Sequence, residues 1–254
     1  MSKLFDLSGR RALVTGSNQG IGLALVTGLA EHGAEVVLNG RNADKLELAV
    51  HRLREAGHEA SGAAFDVTDG AAAKAAVDRI EAELGPIDIL INNAGMQFRT
   101  PLEDFPHDKW EELLKTNVSS VFYVGQAVAK HMIARGRGKI INIASVQSHL
   151  ARPTIAPYTA TKGAVRNLTM GMCTDWAKHG LQVNSIAPGY MATPLNQALI
   201  DNPEFNTWLE KRTPAGRWGR VEELIGAAVY LASDASSFTI GITIYVDGGM
   251  TASL

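Results

Sequence analysis

Several features that mark particular protein classes are scarce or missing in this sequence of 254 residues. Its one cysteine, Cys173, excludes an intramolecular disulfide and a cysteine-based metal cluster, and favours a reducing compartment. No apolar run reaches the roughly 18 residues that a membrane-spanning helix needs, and the first residues lack an apolar signal region. Lys and Arg form no long run that would suit a nucleic-acid backbone. We expect a cytoplasmic protein that binds no membrane, nucleic acid or metal.

What the sequence does contain is a regular alternation of apolar runs and helical segments. Hydrophobic residues make up 46% and charged residues 20%, which is typical of a globular protein. Helical segments of about 10 to 20 residues between short apolar runs predict right-handed crossovers and a parallel sheet. The predicted strands lie in the segments 11–16, 35–40, 60–69, 87–95, 138–145, 181–188 and 243–249. No Pro/Gly/Ser-rich linker interrupts this pattern.

These observations predict one α/β domain over residues 1–254. We expect a doubly wound Rossmann fold of about seven parallel strands with helices on both faces. The segment 189–217 is less regular and follows the sixth predicted strand. Loops at the carboxyl ends of strands line the ligand crevice of such sheets, so this segment is predicted to be a lid over a substrate.

A glycine-rich turn joins the first predicted strand to the first predicted helix. Gly16, Gly20 and Gly22 stand in the pattern G-x-x-x-G-x-G. Glycine permits a tight turn and close approach of a phosphate, and the helix N-terminus offers free N–H groups to it. A glycine turn without a ligand is the alternative interpretation. The position after a strand and before a helix favours a dinucleotide site.

Tyr158 and Lys162 stand four positions apart in a segment of small side chains. On a helix they share one face, so a phenol and an ammonium group would lie close together. An ammonium group nearby favours the phenolate, which would allow Tyr158 to exchange a proton near neutral pH. An ordinary surface pair is the alternative.

The order of these motifs resembles the short-chain dehydrogenase/reductase family over nearly the whole chain. The glycine motif T-G-x-x-x-G-x-G matches residues 15–22, the N-N-A-G motif residues 92–95, and Y-x-x-x-K residues 158–162. Ser145, Asn117 and the P-G pair at 188–189 also fall at family positions. This resemblance implies reversible hydride transfer between a nicotinamide cofactor and a secondary alcohol or ketone.

The resemblance also implies roles for individual residues. Tyr158 would be the acid/base, Lys162 would lower its pKa and hold the nicotinamide ribose, and Ser145 would stabilise the substrate oxygen. Asn117 would take part in a proton relay. The residues expected to bind the cofactor are Gly16, Asn18, Gln19, Gly20, Ile21, Gly22, Arg41, Asp66, Val67, Asn93, Ala94, Gly95, Tyr158, Lys162, Pro188, Gly189, Met191 and Thr193.

The end of the second predicted strand bears on the choice between NAD and NADP. The position where NAD-binding sheets carry a carboxylate is Gly40, and Arg41 follows it. An arginine can pair with a 2′-phosphate, so we expect NADP, with NAD as the alternative. Asn39 and Asn42 are candidates to assist. Gln19 occupies another position that is basic in some members of the family, which weighs against NADP.

The predicted substrate loops are rich in cations and amides. Arg99, Ser145, Gln147 and Tyr158 are the candidate substrate-binding residues, with Arg99 binding a carboxylate; Arg152 and His149 are expected to be loop residues. These loops resemble the gluconate 5-dehydrogenase branch of the family, which interconverts D-gluconate and 5-keto-D-gluconate with NADP. A 3-oxoacyl thioester reductase, another sugar or polyol dehydrogenase, and a nucleotide-binding regulator are the alternatives.

The family resemblance further implies a homo-oligomer, most often a tetramer. Helices near 107–135 and 157–179 would form one interface, and the segment 245–254 would lie near another.

Overall fold

A computed structural model describes residues 3–253, so residues 1, 2 and 254 of the predicted domain lie outside the description. The strands form one seven-stranded sheet in the order β3-β2-β1-β4-β5-β6-β7, with parallel pairing throughout. The strands are β1 (Arg11–Val14), β2 (Glu35–Gly40), β3 (Ala60–Ala64), β4 (Ile89–Asn92), β5 (Gly138–Ile143), β6 (Leu181–Pro188) and β7 (Thr243–Val246). The predicted number and direction of the strands are confirmed.

Helices cover both faces of this sheet. They are α1 (Gly20–Glu31), α2 (Ala43–Glu55), α3 (Gly70–Glu83), α4 (His107–Leu114), α5 (Ser120–Arg135), α6 (Ala156–Trp176), α7 (Gln197–Ile200), α8 (Pro203–Arg212) and α9 (Ile225–Ala232). One apolar core joins α1, α2 and α9 to the sheet, and a second joins α3, α5 and α6 to the opposite face. The buried strands are almost wholly apolar because both faces are covered.

The order of the strands determines where a ligand can bind. The chain leaves β1 for β2 on one side, and β4 pairs with β1 on the other side. The loops after β1 and β4 therefore diverge at the carboxyl edge, which opens a crevice between them.

Two regions differ from the expected elements. The single helix predicted over 107–136 is divided by a π-helical turn, Lys115–Ser119, between α4 and α5. The predicted lid segment contains the short helices α7 and α8. Among residues 3–253, no helix is both apolar enough and long enough to cross a bilayer.

Candidate active site

The glycine turn after β1 has the geometry of a phosphate-binding loop. Gly16 and Gly20 have positive φ angles of 60° and 57°, which favour glycine. A Cβ on Gly22 would lie 2.3 Å from the carbonyl oxygen of Gly16, so this position admits no side chain. A Cβ on Gly20 would meet no described atom within 4 Å, because this residue faces the open crevice. The N-terminus of α1 is thus accessible to an anion.

Asn93, at the end of β4, holds this loop in place. Its Nδ2 donates to the carbonyl oxygens of Thr15 at 2.9 Å and Gly16 at 3.0 Å. In return, Thr15 Oγ1 accepts from the backbone N–H groups of Asn93 and Ala94. The side chain of Asn93 is therefore engaged with the glycine loop, which fixes the two sides of the crevice relative to each other.

The far end of the crevice carries a cation. Arg41 is exposed at the rim, directly after the buried Gly40. The Thr68 backbone N–H donates to Asp66 Oδ1 at 2.8 Å. Burial opposes ionisation of Asp66, but the Thr68 hydrogen bonds and the charge of Arg41 outweigh it and lower the Asp66 pKa. A carboxylate and a guanidinium group thus face the adenosine end of the predicted site.

Two asparagines suggested to assist Arg41 have other partners. Asn39 is buried; its Oδ1 accepts from the Gly16 N–H, and its Nδ2 donates to the carbonyl oxygens of Ala63 and Phe65. Asn42 caps α2 by accepting from the Lys45 N–H at 2.8 Å. The assistance suggested for these two asparagines stays a prediction, and the hydrogen bonds show only which of their atoms already have protein partners.

Ser145, Tyr158 and Lys162 converge at the carboxyl end of β5. Ser145 follows that strand and lies at the same cleft as the phenol of Tyr158, near the start of α6. Lys162 is buried, and its Nζ donates to the carbonyl oxygen of Ile143 at 2.8 Å. The same Nζ lies 5.8 Å from the centre of the Tyr158 ring. The i, i+4 spacing therefore places both groups on the face of α6 toward the cleft.

The protein groups around Tyr158 raise its pKa. Burial raises the pKa of Tyr158 to about 12, although a hydrogen bond with Ser145 opposes the shift. Burial also lowers the pKa of Lys162 to about 8. This direction is opposite to the lowering predicted for Tyr158. The physical reason is that burial outweighs nearby positive charge, and that the Lys162 ammonium is bound to a backbone carbonyl.

Asn117 lies in the π-helical turn and is buried. Its Oδ1 accepts from the Met96 N–H at 2.8 Å, and its Nδ2 donates to the Met96 carbonyl at 3.0 Å and to Thr161 Oγ1 at 3.1 Å. This amide therefore ties the loop after β4 to α6, next to Lys162. The predicted proton relay through Asn117 stays a prediction.

All the residues predicted to bind the cofactor line one cleft of about 350 Å³. The fit to a dinucleotide rests on three observations: the open space at Gly20, the free N-terminus of α1 and the cation at Arg41. Within the described residues, no cluster of His, Cys, Asp or Glu has the arrangement of a metal site. The chain thus presents protein groups suited to a nucleotide beside the buried phenol of Tyr158.

A smaller pocket continues from this cleft at the Tyr158 end. It is lined by Gln97, Arg99, Ser145, Val146, Gln147, Arg152, Ile155, Tyr158, Gly189, Tyr190 and Asn196. Arg99 Nη2 donates to Gln97 Oε1 at 2.6 Å and to Asn196 Oδ1 at 3.2 Å. Burial and the charge of Arg152 lower the pKa of Arg99. Gln147 is buried, and its Oε1 has no hydrogen-bond partner among residues 3–253.

Comparisons with known proteins agree with this arrangement. A family model described as Enoyl-(Acyl carrier protein) reductase matches residues 16–251. Gluconate 5-dehydrogenase of Gluconobacter oxydans (strain 621H) is 64% identical over 251 residues, 99% of this chain and 98% of that protein. The 5-keto-D-gluconate 5-reductase of Escherichia coli (strain K12) is 51% identical over 250 residues, 98% of each chain. The chain belongs to the short-chain dehydrogenase/reductase family.

Solved structures extend the agreement to the fold. A gluconate 5-dehydrogenase from Burkholderia cenocepacia J2315, in complex with NADP and tartrate, aligns with a TM-score of 0.98 and 59% identity over 99% of both chains. The Rossmann-like fold and the family resemblance are confirmed. As a short-chain dehydrogenase/reductase, the chain is an oxidoreductase acting on CH–OH groups. The NADP in that neighbour agrees with the cofactor predicted here.

The sequence did not indicate every residue of this short-chain dehydrogenase/reductase pocket. Tyr190 and Asn196 were missed, and Arg152 was expected to be an ordinary loop residue. Instead, Arg152 Nε donates to the Tyr190 hydroxyl at 2.9 Å within the pocket. The available signal was the position of Tyr190, directly after the P-G pair that ends β6. His149 is exposed in the loop, as expected.

Proposed function

We propose that the chain interconverts D-gluconate and 5-keto-D-gluconate with NADP(H). The observation that carries this proposal is the pocket next to Tyr158, which presents two arginines, Arg99 and Arg152, to a small polar substrate. An acidic sugar supplies the negative charge that such a pocket requires. The 64% identity to the Gluconobacter oxydans gluconate 5-dehydrogenase supports the same substrate.

In the direction of ketone reduction, Tyr158 is the proton donor. A pKa of about 12 keeps its phenol protonated at neutral pH, so it can donate to the carbonyl oxygen at C5. NADPH held in the neighbouring cleft would supply the hydride for this reduction. Ser145 donates a hydrogen bond to the same oxygen and stabilises the negative charge that develops there. In the direction of oxidation, Tyr158 first loses its own proton, and the resulting phenolate takes the proton from the C5 hydroxyl group.

Lys162 and Asn117 assist the proton transfer at Tyr158. Lys162 binds the nicotinamide ribose and, when protonated, favours the phenolate form of Tyr158 during oxidation. Asn117 supports a proton relay that reaches Lys162 from solvent. The hydrogen bond from Asn117 to Thr161, which directly precedes Lys162 on α6, supports this assignment.

The substrate contacts follow from the unpaired polar atoms of the pocket. Arg99 binds the carboxylate, since its side chain is half-buried and its Nε has no partner among the described residues. Gln147 accepts a hydrogen bond from a substrate hydroxyl group, which would satisfy its buried Oε1. Leaving such an oxygen unpaired costs about 1–3 kcal/mol, so the substrate gains affinity and orientation there.

Our proposal extends to the whole chain. Residues 1–254 form one cytoplasmic domain, and 189–217 act as a lid over the substrate. The chain associates as a homotetramer. Exposed apolar side chains on α4, α5 and α6 and beside β7 support association through two surfaces; they are Trp110, Phe122, Met170 and Phe238. Solvent-exposed apolar patches commonly mark surfaces that another protein subunit covers.

The test follows NADPH oxidation with purified protein. We expect turnover with 5-keto-D-gluconate, and at least about 100-fold less for Tyr158→Phe because the proton donor is lost. Fluorescence titration with NADPH is the control: binding by the variant within about tenfold of wild type would show that its fold is intact.

Two parallel substrates distinguish the alternatives. An acetoacetyl thioester tests 3-oxoacyl reductase activity, and 2-dehydro-3-deoxy-D-gluconate tests a related sugar acid. Turnover of the thioester alone would contradict the assignment of Arg99 while leaving the chemistry of Tyr158 in place. Full activity of Tyr158→Phe would contradict the proposed mechanism itself.

A further inference from the structure

Tyr190 is held rigidly at the junction between β6 and the lid. Its ring makes edge-to-face contacts with Phe205, Trp208 and Trp218, at centroid distances of 5.5, 5.9 and 5.9 Å. Phe205 and Trp208 belong to α8, so the lid helix packs directly on this tyrosine. Such aromatic pairs stabilise a fixed ring orientation. The hydroxyl group of Tyr190 therefore has a defined position.

Arg152 determines how that hydroxyl group can bond. Its Nε donates to the Tyr190 oxygen at 2.9 Å, and its guanidinium group lies 5.5 Å from the centre of the Phe205 ring. With this lone pair of the oxygen occupied by a cation, the phenol is directed to act as a donor. The described residues provide no acceptor for its proton. Burial raises the pKa of Tyr190, which keeps that proton in place at neutral pH.

The pocket that Tyr190 lines carries positive charge without a matching carboxylate. Arg99 and Arg152 both line it, and the charge of Arg152 lowers the pKa of Arg99. Within residues 3–253, neither arginine forms an ion pair with Asp or Glu. Two neighbouring guanidinium groups of this kind favour an anionic ligand.

We infer that Tyr190 donates a hydrogen bond to the carboxylate of the substrate, with Arg152 as the residue that positions it. Arg99 and Tyr190 then form a donor pair around the anion, and Arg152 contributes its charge from behind the phenol. This inference rests on the proposed function for the identity of the substrate. It makes Tyr190 a determinant of specificity for acidic over neutral substrates.

The test compares 5-keto-D-gluconate with its uncharged methyl ester in wild type, Tyr190→Phe and Arg152→Lys. A hydrogen bond to a charged group corresponds to about a tenfold or larger change in binding. We expect Tyr190→Phe to raise KM for the keto acid about tenfold while kcat changes little. KM for the ester should stay within about twofold, because the ester has no carboxylate. Arg152→Lys should resemble Tyr190→Phe, since lysine lacks the Nε–H that orients the phenol.

Tyr230→Phe is a matched control. Tyr230 lies on α9, outside the pocket, and its hydroxyl group forms a hydrogen bond with Thr239 Oγ1 at 2.7 Å. An unchanged KM for the acid in Tyr190→Phe, or equal rises for the acid and the ester, would overturn the inference.

Failure of the proposed function would look different. The wild-type protein would then reduce neither the acid nor the ester. In that case, calorimetric titration with tartrate would measure directly whether Tyr190 contributes to the binding of a carboxylate. About tenfold weaker tartrate binding to Tyr190→Phe than to wild type would support the inference, and equal binding or no binding to either protein would overturn it.

Discussion

Two adjacent residues at the end of β2 concern the choice of nucleotide. Gly40 leaves space where a carboxylate would contact a ribose, and Arg41 stands exposed at the rim of the cleft. A Cβ built on Gly40 would lie 3.5 Å from Asn18 Cγ, which is an ordinary contact. The backbone there has no positive φ, so a side chain can be added without strain.

We therefore expect Gly40→Asp to change the cofactor preference without unfolding the protein. The new carboxylate would repel a 2′-phosphate and accept a hydrogen bond from a 2′-hydroxyl group. Steady-state kinetics should give a kcat/KM for NADPH about 10- to 100-fold lower, with an equal or higher value for NADH. Gly40→Ala is the control, since it adds only the Cβ. A loss with both cofactors, or no change with NADPH, would contradict the assignment of the phosphate site.

Single residues also differ in how well the sequence predicts their roles. The positions of Gly16, Ser145 and Tyr158 were predictable because each follows directly from a strand end or a helical spacing. The engagement of Asn39 and the pairing of Arg152 with Tyr190 were not. The side-chain contacts of Asn39 join residues at least 23 positions apart, and the contact of Arg152 with Tyr190 spans 38 positions, so no local pattern encodes them.

At the scale of the elements, the second residue of β5 is unusual for a buried strand. Lys139 is only 6% exposed, and its Nζ donates to Ser236 Oγ at 3.1 Å. Burial and the nearby charge of Arg10 lower its pKa to about 8, although Asp234 opposes the shift. Between this value and the ordinary 10.5, the unfolded chain holds a proton that the folded chain has released. Stability should therefore rise with pH in that window.

Lys139→Met should remove this contribution. Between pH values of about 7 and 10, the free energy of unfolding of wild type should increase relative to the variant by up to about 3 kcal/mol. Urea unfolding at fixed protein concentration measures the difference. The exposed Lys130 on α5 offers a control, and Lys130→Met should follow wild type in parallel. A constant difference between wild type and Lys139→Met would show that Lys139 does not release a proton on folding.

The helix predicted over residues 107–136 is a second feature at this scale, because a π-helical turn divides it into α4 and α5. The apolar periodicity of residues 107–136 continues across the junction, so the sequence pattern alone favours one helix. The π-helical turn instead follows from tertiary contacts, because Asn117 within it bonds both Met96 and Thr161. Such turns are frequent at functional sites.

At the scale of the whole molecule, three of the exposed apolar side chains bear on how the chain would associate. Phe122 of α5 is 43% exposed and Met170 of α6 is 41% exposed, both on the face of the sheet opposite α1. Phe238, just before β7, is 97% exposed. Two different self-complementary surfaces are the minimum that builds a closed tetramer from twofold contacts.

If the proposed tetramer forms through these residues, charged substitutions at them should reduce it to dimers. A buried aspartate at Phe122 or Phe238 would lose its hydration without gaining a partner, so the surface that carries it should no longer associate. Light scattering after size-exclusion chromatography should give four subunits for wild type and two for Phe122→Asp or Phe238→Asp. Leu48→Asp, at an exposed position of α2 that is 62% exposed, should leave the mass unchanged. A monomeric wild type would contradict the tetramer, and a tetrameric Phe122→Asp would exclude the α5 surface from the assembly.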